Sequence, residues 1–306
     1  MKYRRLGRTD LKVSVIGLGT WQFGGEWGKT FTQEEVNAIL GRAKELGINF
    51  IDTAECYGDH LSEALIGEAI RGERDQWVVA TKFGHKFHGF RDRTEHWSAA
   101  EVQKQLEDSL KALQTDYIDL YQFHSGTDEV FDNDELWTML DKEKQAGKIR
   151  FLGISLNKKN SMHQVEAATR VGADVIQVVY NRLDRRPEED VFPSCQRQDL
   201  GVLARVPLAS GYLSGKYRPD ATFGERDVRR YDEEREEKLR LVEEIRRTEV
   251  PEGVDMAQWA LAWCLQHPAV TCVIPGVKSV EQVEANAKAA ELDLVRDDHP
   301  QAWREA

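Results

Sequence analysis

The chain has 306 residues, 41% apolar and 31% charged, with 42 basic against 53 acidic side chains and a net charge of −11. That composition builds a sizeable core under a well-solvated surface, and its acidic balance argues against general affinity for nucleic acid or anionic membranes, which need basic patches. No apolar run approaches the ~20 residues of a membrane helix, Met1-Lys2-Tyr3-Arg4-Arg5 opens no signal peptide, and Cys56, Cys195, Cys264 and Cys272 show neither CxxC nor metal-like spacing, so a cytoplasmic protein with reduced thiols is expected.

In chain order, the pattern opens with a β-hairpin, residues 3–6 and 12–15 around Gly7-Arg8-Thr9-Asp10, placed to plug the bottom of a barrel. Short β-branched runs then alternate with amphipathic helices, the signature of repeated βα units and a parallel sheet. Strands are predicted at 14–19, 49–52, 77–82, 118–124, 151–154, 175–178, 201–205 and 271–275. About eight such strands close a barrel, and barrels of ~250 residues or more form one unit, so residues 1–306 are read as a single (β/α)8 TIM barrel domain.

Helices are predicted from 32 to about 46 and from 98 to about 113, both opened by capping boxes, Thr32-Gln33-Glu34-Glu35 and Ser98-Ala99-Ala100-Glu101. Others fall at 62–70, 134–145, 161–171, 188–198, 233–247, 256–266 and 279–290. The count exceeds one helix per strand, so one or two are additions to the barrel. Both signs of charge recur at helical spacing over 231–238, as on a solvated helix face, and the polar tail after Leu292 is expected to be partly loose.

On this map Asp52, Lys82 and His124 each end a predicted strand, and Tyr57 follows Asp52 in the next loop. Barrel sites lie at that end of the strands. A tyrosine hydroxyl is a poor acid, with a pKa of about 10, and a neighbouring cation favours its ionised form. Lys82, held by Asp52, supplies that cation; His124 would orient a substrate carbonyl and share the proton.

The sequence resembles the aldo-keto reductases from Met1 to about Ala290. The resemblance rests on Gly17-Leu18-Gly19-Thr20-Trp21, Asp52-Thr53-Ala54 with Tyr57-Gly58, Thr81-Lys82, Asp119-Leu120-Tyr121-Gln122 leading to His124, Gly153-Ile154-Ser155, and Gln177-Val178-Val179-Tyr180-Asn181. Pro207-Leu208 with Gly211, Leu213-Ser214-Gly215-Lys216, and Ile274-Pro275-Gly276 with Lys278, Gln282 and Asn286 complete it. It implies a catalytic tetrad of Asp52, Tyr57, Lys82 and His124, with Tyr57 the general acid in carbonyl reduction, and Trp21, Tyr57 and His124 facing the substrate. It also implies a nicotinamide dinucleotide, NADP(H) in preference to NAD, bound without a Rossmann domain; no strand here opens into GxGxxG.

By the same resemblance Ser155 and Gln177 hold the nicotinamide carboxamide. Pro207, Leu208, Ser210 and Gly211, with Lys216, wrap the pyrophosphate, where small residues let backbone amides reach an anion. Lys278 and Gln282, at a helix start, with Asn286, take the adenosine 2′-phosphate end, and Gly19, Thr20, Trp21, Asp52 and Gly276 complete the contacts. Two positions depart from the family pattern: Leu156 replaces the usual Asn after the serine, and Arg205 occupies the place of an aromatic that stacks on nicotinamide. A guanidinium stacks on a flat ring but disfavours a cationic one, so a bias toward NADPH over NADP⁺ is expected.

Lesser features have plainer readings. His85-Lys86-Phe87-His88 offers two imidazoles with no third metal ligand in sequence, and reads as a surface loop. Trp21, Trp27, Phe87 and Trp97 are candidates to line a substrate pocket, with ordinary packing the competing reading. Cys56 reads as a small filler. The rival functions are an NADPH-binding redox-sensing subunit of slow turnover and a metal-dependent barrel enzyme, the latter disfavoured by the lack of clustered ligands at the strand ends.

Overall fold

The structure, a computed structural model, describes residues 1–26, 28–90, 92–218, 220–224 and 227–304. It opens with an antiparallel hairpin, β1 (Tyr3–Arg5) and β2 (Lys12–Ser14). The barrel strands β3 (Leu18–Gly19), β4 (Phe50–Asp52) and β5 (Val78–Phe83) follow, then a second hairpin of β6 (His85–Gly89) and β7 (Asp92–Glu95). β8 (Ile118–His124), β9 (Ile149–Ser155), β10 (Ala173–Val179), β11 (Gly201–Arg205) and β12 (Cys272–Ile274) complete the set. The eight strands other than the two hairpins make one parallel sheet, and parallel bridges Ile16 to Val273 and Gly19 to Gly276 bring its edges together into a barrel. Gly19 has to be glycine there, because a Cβ would stand 2.8 Å from the Ile274 carbonyl oxygen.

Ten helices are described: α1 (Gln33–Glu45), α2 (Leu61–Ala69), α3 (Ala99–Ala112), α4 (Asp128–Phe131), α5 (Asp134–Gln145), α6 (Met162–Ala167), α7 (Val191–Arg197), α8 (Arg235–Thr248), α9 (Met256–Leu265) and α10 (Val280–Ala287). Both predicted capping boxes form, Thr32 with Glu35 and Ser98 with Glu101. The additions to the barrel are the one-turn α4 and the surface helix α8. No described helix is long and apolar enough to cross a membrane.

The first hairpin does plug the barrel bottom. Its Leu6, Leu11 and Val13 are buried against Phe50, Val78, Leu120, Val175 and Leu203, at the N-terminal half of the strands. Arg4, 2% exposed, donates to the carbonyls of Leu265 and Val270 at 2.9 and 2.6 Å, which satisfies the C-terminal end of α9. The polar tail is not loose up to residue 304. Arg5 N–H donates to the Gln301 carbonyl and Trp303 N–H to that of Tyr3, while Val295, His299 and Gln301 are buried. Backbone pairing to the edge of β1 fixes a segment whose composition predicts mobility.

Candidate active site

Strand alternation places every second side chain inside the barrel, and the last inward positions of successive strands converge at its C-terminal mouth. Asp52 ends β4, Lys82 lies next to last in β5, His124 ends β8, Ser155 ends β9, Gln177 lies near the end of β10 and Arg205 ends β11. The carboxylate of Asp52 is the hub. Its Oδ2 accepts from Lys82 Nζ at 2.7 Å; its Oδ1 accepts from the side-chain amides of Gln177 at 2.7 Å and Gln122 at 3.1 Å. Lys82 Nζ also donates to the Thr53 carbonyl at 2.6 Å and to Tyr57 Oη at 3.2 Å, so its three protons are all directed. Asp52 and Lys82 are 3% and 1% exposed.

The structure thus brings Asp52, Lys82 and Tyr57 into direct contact. His124 joins them by ring contact, edge-on to Tyr57 with centroids 6.5 Å apart. Burial works against the charge of Lys82, but Asp52 and Tyr57 outweigh it and hold the amine well into the ammonium range. Burial likewise holds His124 neutral, helped by the positive charge of Lys82, Arg205 and Arg93. The Tyr57 phenol does not behave as the sequence suggests. Lys82 pulls it down as expected, but burial is the larger effect and leaves it pushed up to about 12.

Gln122 was not foreseen as a site residue, although its place two residues before His124 puts both on one strand face. Thr20, foreseen as a cofactor contact, is 1% exposed; its hydroxyl donates to the Asp52 carbonyl at 2.9 Å and accepts from Ser62 at 3.1 Å, which commits it to holding Asp52. Ser155 donates to Gln177 at 3.4 Å. Cys56 is buried, with burial pushing its thiol up, as suits a filler.

His85-Lys86-Phe87-His88, expected to be a surface loop, instead begins the β6–β7 hairpin. Its Arg93 reaches Glu26, which also accepts from the Trp21 indole N–H at 2.5 Å. Trp21, with its ring 6.4 Å from that of Tyr57, therefore lines the mouth. Phe87 packs under Arg93, 5.6 Å from the guanidinium. Trp97 is a core residue, 8% exposed and stacked on Phe123 at 4.7 Å, not a pocket wall. Trp27 lies outside the described residues.

The two departures from the family pattern meet each other: Arg205 Nη2 donates to the Leu156 carbonyl at 2.9 Å, and Arg205 Nε is buried with no partner. Beyond β11 the backbone runs left-handed at Val206, Ala209, Ser210 and Gly211, φ 55°, 49°, 55° and 91°, in the segment containing Pro207 and Leu208. Three successive left-handed residues are strained for Ala and Ser; within the turn the N–H groups of Ala209 and Gly211 donate to the carbonyls of Val206 and Leu208 at 2.9 and 2.8 Å. Ser279 caps α10 by accepting from Gln282 N–H at 3.3 Å, while Gln282 Oε1 accepts from Lys278 N–H at 2.8 Å and Asn286 lies on the buried face of that helix. Burial holds the Lys278 amine down, and the positive charge of Arg229, Lys216 and Lys29 adds to it. Gly276 packs on Gln22, where a Cβ would come within 2.2 Å of its side chain. A left-handed backbone turn and converging cations at a helix N-terminus fit a molecule carrying several phosphates.

A parallel barrel with an Asp, a Lys, a Tyr and a His at one mouth defines an oxidoreductase of a known kind. The family model of the Aldo/keto reductase family matches residues 15–304, and the chain belongs to that family. It is 35% identical to the uncharacterized oxidoreductase YqkF of Bacillus subtilis over 95% of this chain and 91% of that one. It is 31% identical to the aldo-keto reductase yakc [NADP(+)] of Schizosaccharomyces pombe over 95% and 87% of the two chains. Among solved structures it resembles the holo form of aldo-keto reductase AKR11C1 from Bacillus halodurans, with 36% identity, a TM-score of 0.80, and 95% and 91% of the chains covered.

Proposed function

We propose that this oxidoreductase uses NADPH to reduce an aldehyde or ketone to an alcohol, and runs in reverse with NADP⁺, with Asp52, Tyr57, Lys82 and His124 as its catalytic residues. The observation that carries this reading is the ammonium of Lys82, clamped by Asp52 and the Thr53 carbonyl and aimed at Tyr57 Oη from 3.2 Å. When bound, the dinucleotide supplies the hydride.

The chain's own task is the proton. Tyr57 keeps its proton at neutral pH, since burial holds the phenol up, and is therefore always loaded as a donor. It gives that proton to the carbonyl oxygen as negative charge develops there, and the phenolate left behind faces a preorganised ammonium that needs no solvent to stabilise it. Neutral His124 donates one ring N–H to the same oxygen and fixes its position. Asp52, Gln122 and Gln177 prevent Lys82 from turning away. Trp21 and the Arg93–Glu26 pair stand over the mouth and exclude water.

In this reading Ser155, Gln177 and Arg205 would hold the nicotinamide, and residues 207–211 with Lys216 the pyrophosphate. Gly19, Trp21 and Gly276 flank the same mouth, and Asn286 and Gln282 stand on α10. Lys278 at the start of that helix, which feels the positive charge of Arg229, Lys216 and Lys29 against the negative charge of Asp227, favours a third phosphate and hence NADP(H). The S. pombe relative, whose name carries NADP(+), supports the same choice. Tyr57→Phe tests the reading: kcat for aldehyde reduction should fall by about 10²–10⁴, the worth of one positioned acid, with NADPH affinity unchanged. Wild-type turnover in that variant would end the proposal.

A further inference from the structure

Of the sequence pair His85 and His88, only His85 joins a cluster of potential metal ligands, and the fold supplies two more from elsewhere. A carboxylate oxygen of Glu55 and one ring nitrogen each of His85 and His124 lie within 4.8 Å of one another. Glu55 comes from the loop after β4, His85 opens β6 and His124 ends β8. Glu55 is 2% exposed, and its Oε1 accepts from the backbone N–H of His85 at 2.9 Å, which ties the two residues together. Its other oxygen, Oε2, is buried with no hydrogen-bond partner, and so is Nδ1 of His85. The rings of His85 and His124 meet edge to face with centroids 5.0 Å apart.

Two unsatisfied buried polar atoms in one cluster are costly, about 1–3 kcal/mol each, and a native structure normally fills such a gap. We propose that Glu55, His85 and His124 form a site for a divalent transition ion of the Zn²⁺ type. The donor set, two imidazoles and a carboxylate, is the nitrogen and oxygen set that Zn²⁺ and Co²⁺ take with three protein ligands and an open position. Ligand atoms about 2.0–2.2 Å from a tetrahedral ion stand roughly 3.3–3.5 Å apart, so side-chain rotation has to close little more than 1 Å. A way in exists that avoids the barrel mouth: Glu55 and His85 also line an outer cavity of about 320 Å³, together with His60, His96 and Glu101.

An ion held here takes the lone pair of His124 and fixes that ring away from the substrate oxygen. Metal uptake therefore switches carbonyl reduction off, reversibly. Only this consequence rests on the reductase reading; occupancy of the site does not.

The experiment titrates the chelator-treated full-length protein with Co²⁺ and follows the visible d–d absorption, then repeats it with Glu55→Gln and with His85→Asn. One equivalent should give the intense bands of a four- or five-coordinate ion, and each variant should weaken binding at least tenfold while keeping the wild-type circular dichroism. In parallel, Zn²⁺ should lower aldehyde reduction at least tenfold in the wild type, with recovery on adding chelator, and should leave the metal-free rate of each variant unchanged. Overturning results are no stoichiometric Co²⁺ bands, which would leave the gap to water; bands unaffected by both variants, which would place the ion elsewhere; and full wild-type turnover with Co²⁺ bound, which would remove His124 from the ligand set. If the wild type reduces no carbonyl at all, the reductase reading fails, while the absorption titration still decides the site.

Discussion

Asp52→Asn is the sharpest perturbation of the hub. The amide has the volume of the carboxylate, so no cavity opens and the cost is electrostatic. At present Oδ2 faces one donor, Lys82 Nζ at 2.7 Å, and Oδ1 faces two, from Gln122 and Gln177. An asparagine can turn its oxygen toward only one side; its NH₂ then meets either the ammonium or two amide donors. Lys82, 1% exposed, also loses the one carboxylate bonded to it among the described residues. Removing one member of a buried ion pair costs about 3–5 kcal/mol, and the remaining bonds from Lys82 to the Thr53 carbonyl and Tyr57 Oη argue for the lower part of that range. For a chain of this size 1 kcal/mol moves Tm by about 2 °C, so differential scanning calorimetry at one fixed scan rate should show a fall of roughly 6–8 °C. As a control, Lys104→Ala breaks an exposed i,i+4 pair to Asp108 and should move Tm by less than about 1 °C. An Asp52→Asn transition within 2 °C of the wild type would mean that the pair does not carry the charge balance argued here.

Lys278→Ala should weaken NADPH binding about tenfold and leave NADH binding nearly unchanged in fluorescence titrations; an equal loss for both would detach Lys278 from the 2′-phosphate. Stability should peak near pH 6.5. Burial holds His85, His124, His267 and His299 below their ordinary range, the last at about 4, so below ~6.5 the unfolded chain binds protons that the native one refuses and stability falls with acid. Burial also pushes the Glu55 carboxyl up to about 8, so between ~6.5 and 8 the native chain keeps a proton the unfolded chain has lost, and stability falls as pH rises. A urea midpoint that climbed steadily from pH 6.5 down to 5 would contradict this.

What could be read from the sequence was whatever local pattern decides. The strands carrying Asp52, Lys82 and His124 are short, buried, mostly apolar runs between turn signals, and Thr32 and Ser98 announce their helices through a glutamate three residues on. The β6–β7 hairpin escaped because His85-Lys86-Phe87-His88-Gly89 and Asp92-Arg93-Thr94-Glu95 have no apolar face; it is held by its own pairing and by the reach of Arg93 to Glu26, neither of which leaves a periodicity. Trp97 and Trp21 look alike in sequence, and only packing sends one to the core and the other to the mouth. The tail after Leu292 is polar because it pairs through its backbone with β1. Tyr57 shows the same limit in energy: the sign of Lys82's effect follows from residue types, but the larger effect of burial belongs to the folded surroundings.

If the proposed NADPH reading holds, Arg205 and Leu156 decide how the hydride-donating side is built. Leu156 is fully buried, and its backbone does the polar work: its N–H donates to the Gln177 carbonyl at 2.9 Å and its carbonyl accepts from Arg205 at 2.9 Å. An asparagine here would offer a side-chain amide to the ring end of the site. In this chain the guanidinium comes across from β11 to the Leu156 carbonyl, with Nε buried and without a partner, and in the proposed reading it would supply polar hydrogens there instead. The two departures are therefore one coupled change, and a double-mutant cycle exposes the coupling. Arg205→Phe alone leaves the Leu156 carbonyl to the longer bond from Ser125 Oγ at 3.4 Å, a loss of about 1 kcal/mol; Leu156→Asn alone sets a polar side chain in an apolar pocket. Combined, they should be milder than their sum by about 0.5–3 kcal/mol, the range for residues in contact, measured by urea unfolding. Fluorescence titration of the same variants reads the cofactor side: the wild type should bind NADPH more tightly than NADP⁺, because a cation faces the ring, and Arg205→Phe should erase most of that preference. Additive stabilities together with an unchanged NADPH to NADP⁺ ratio would separate the two residues and remove Arg205 from the nicotinamide.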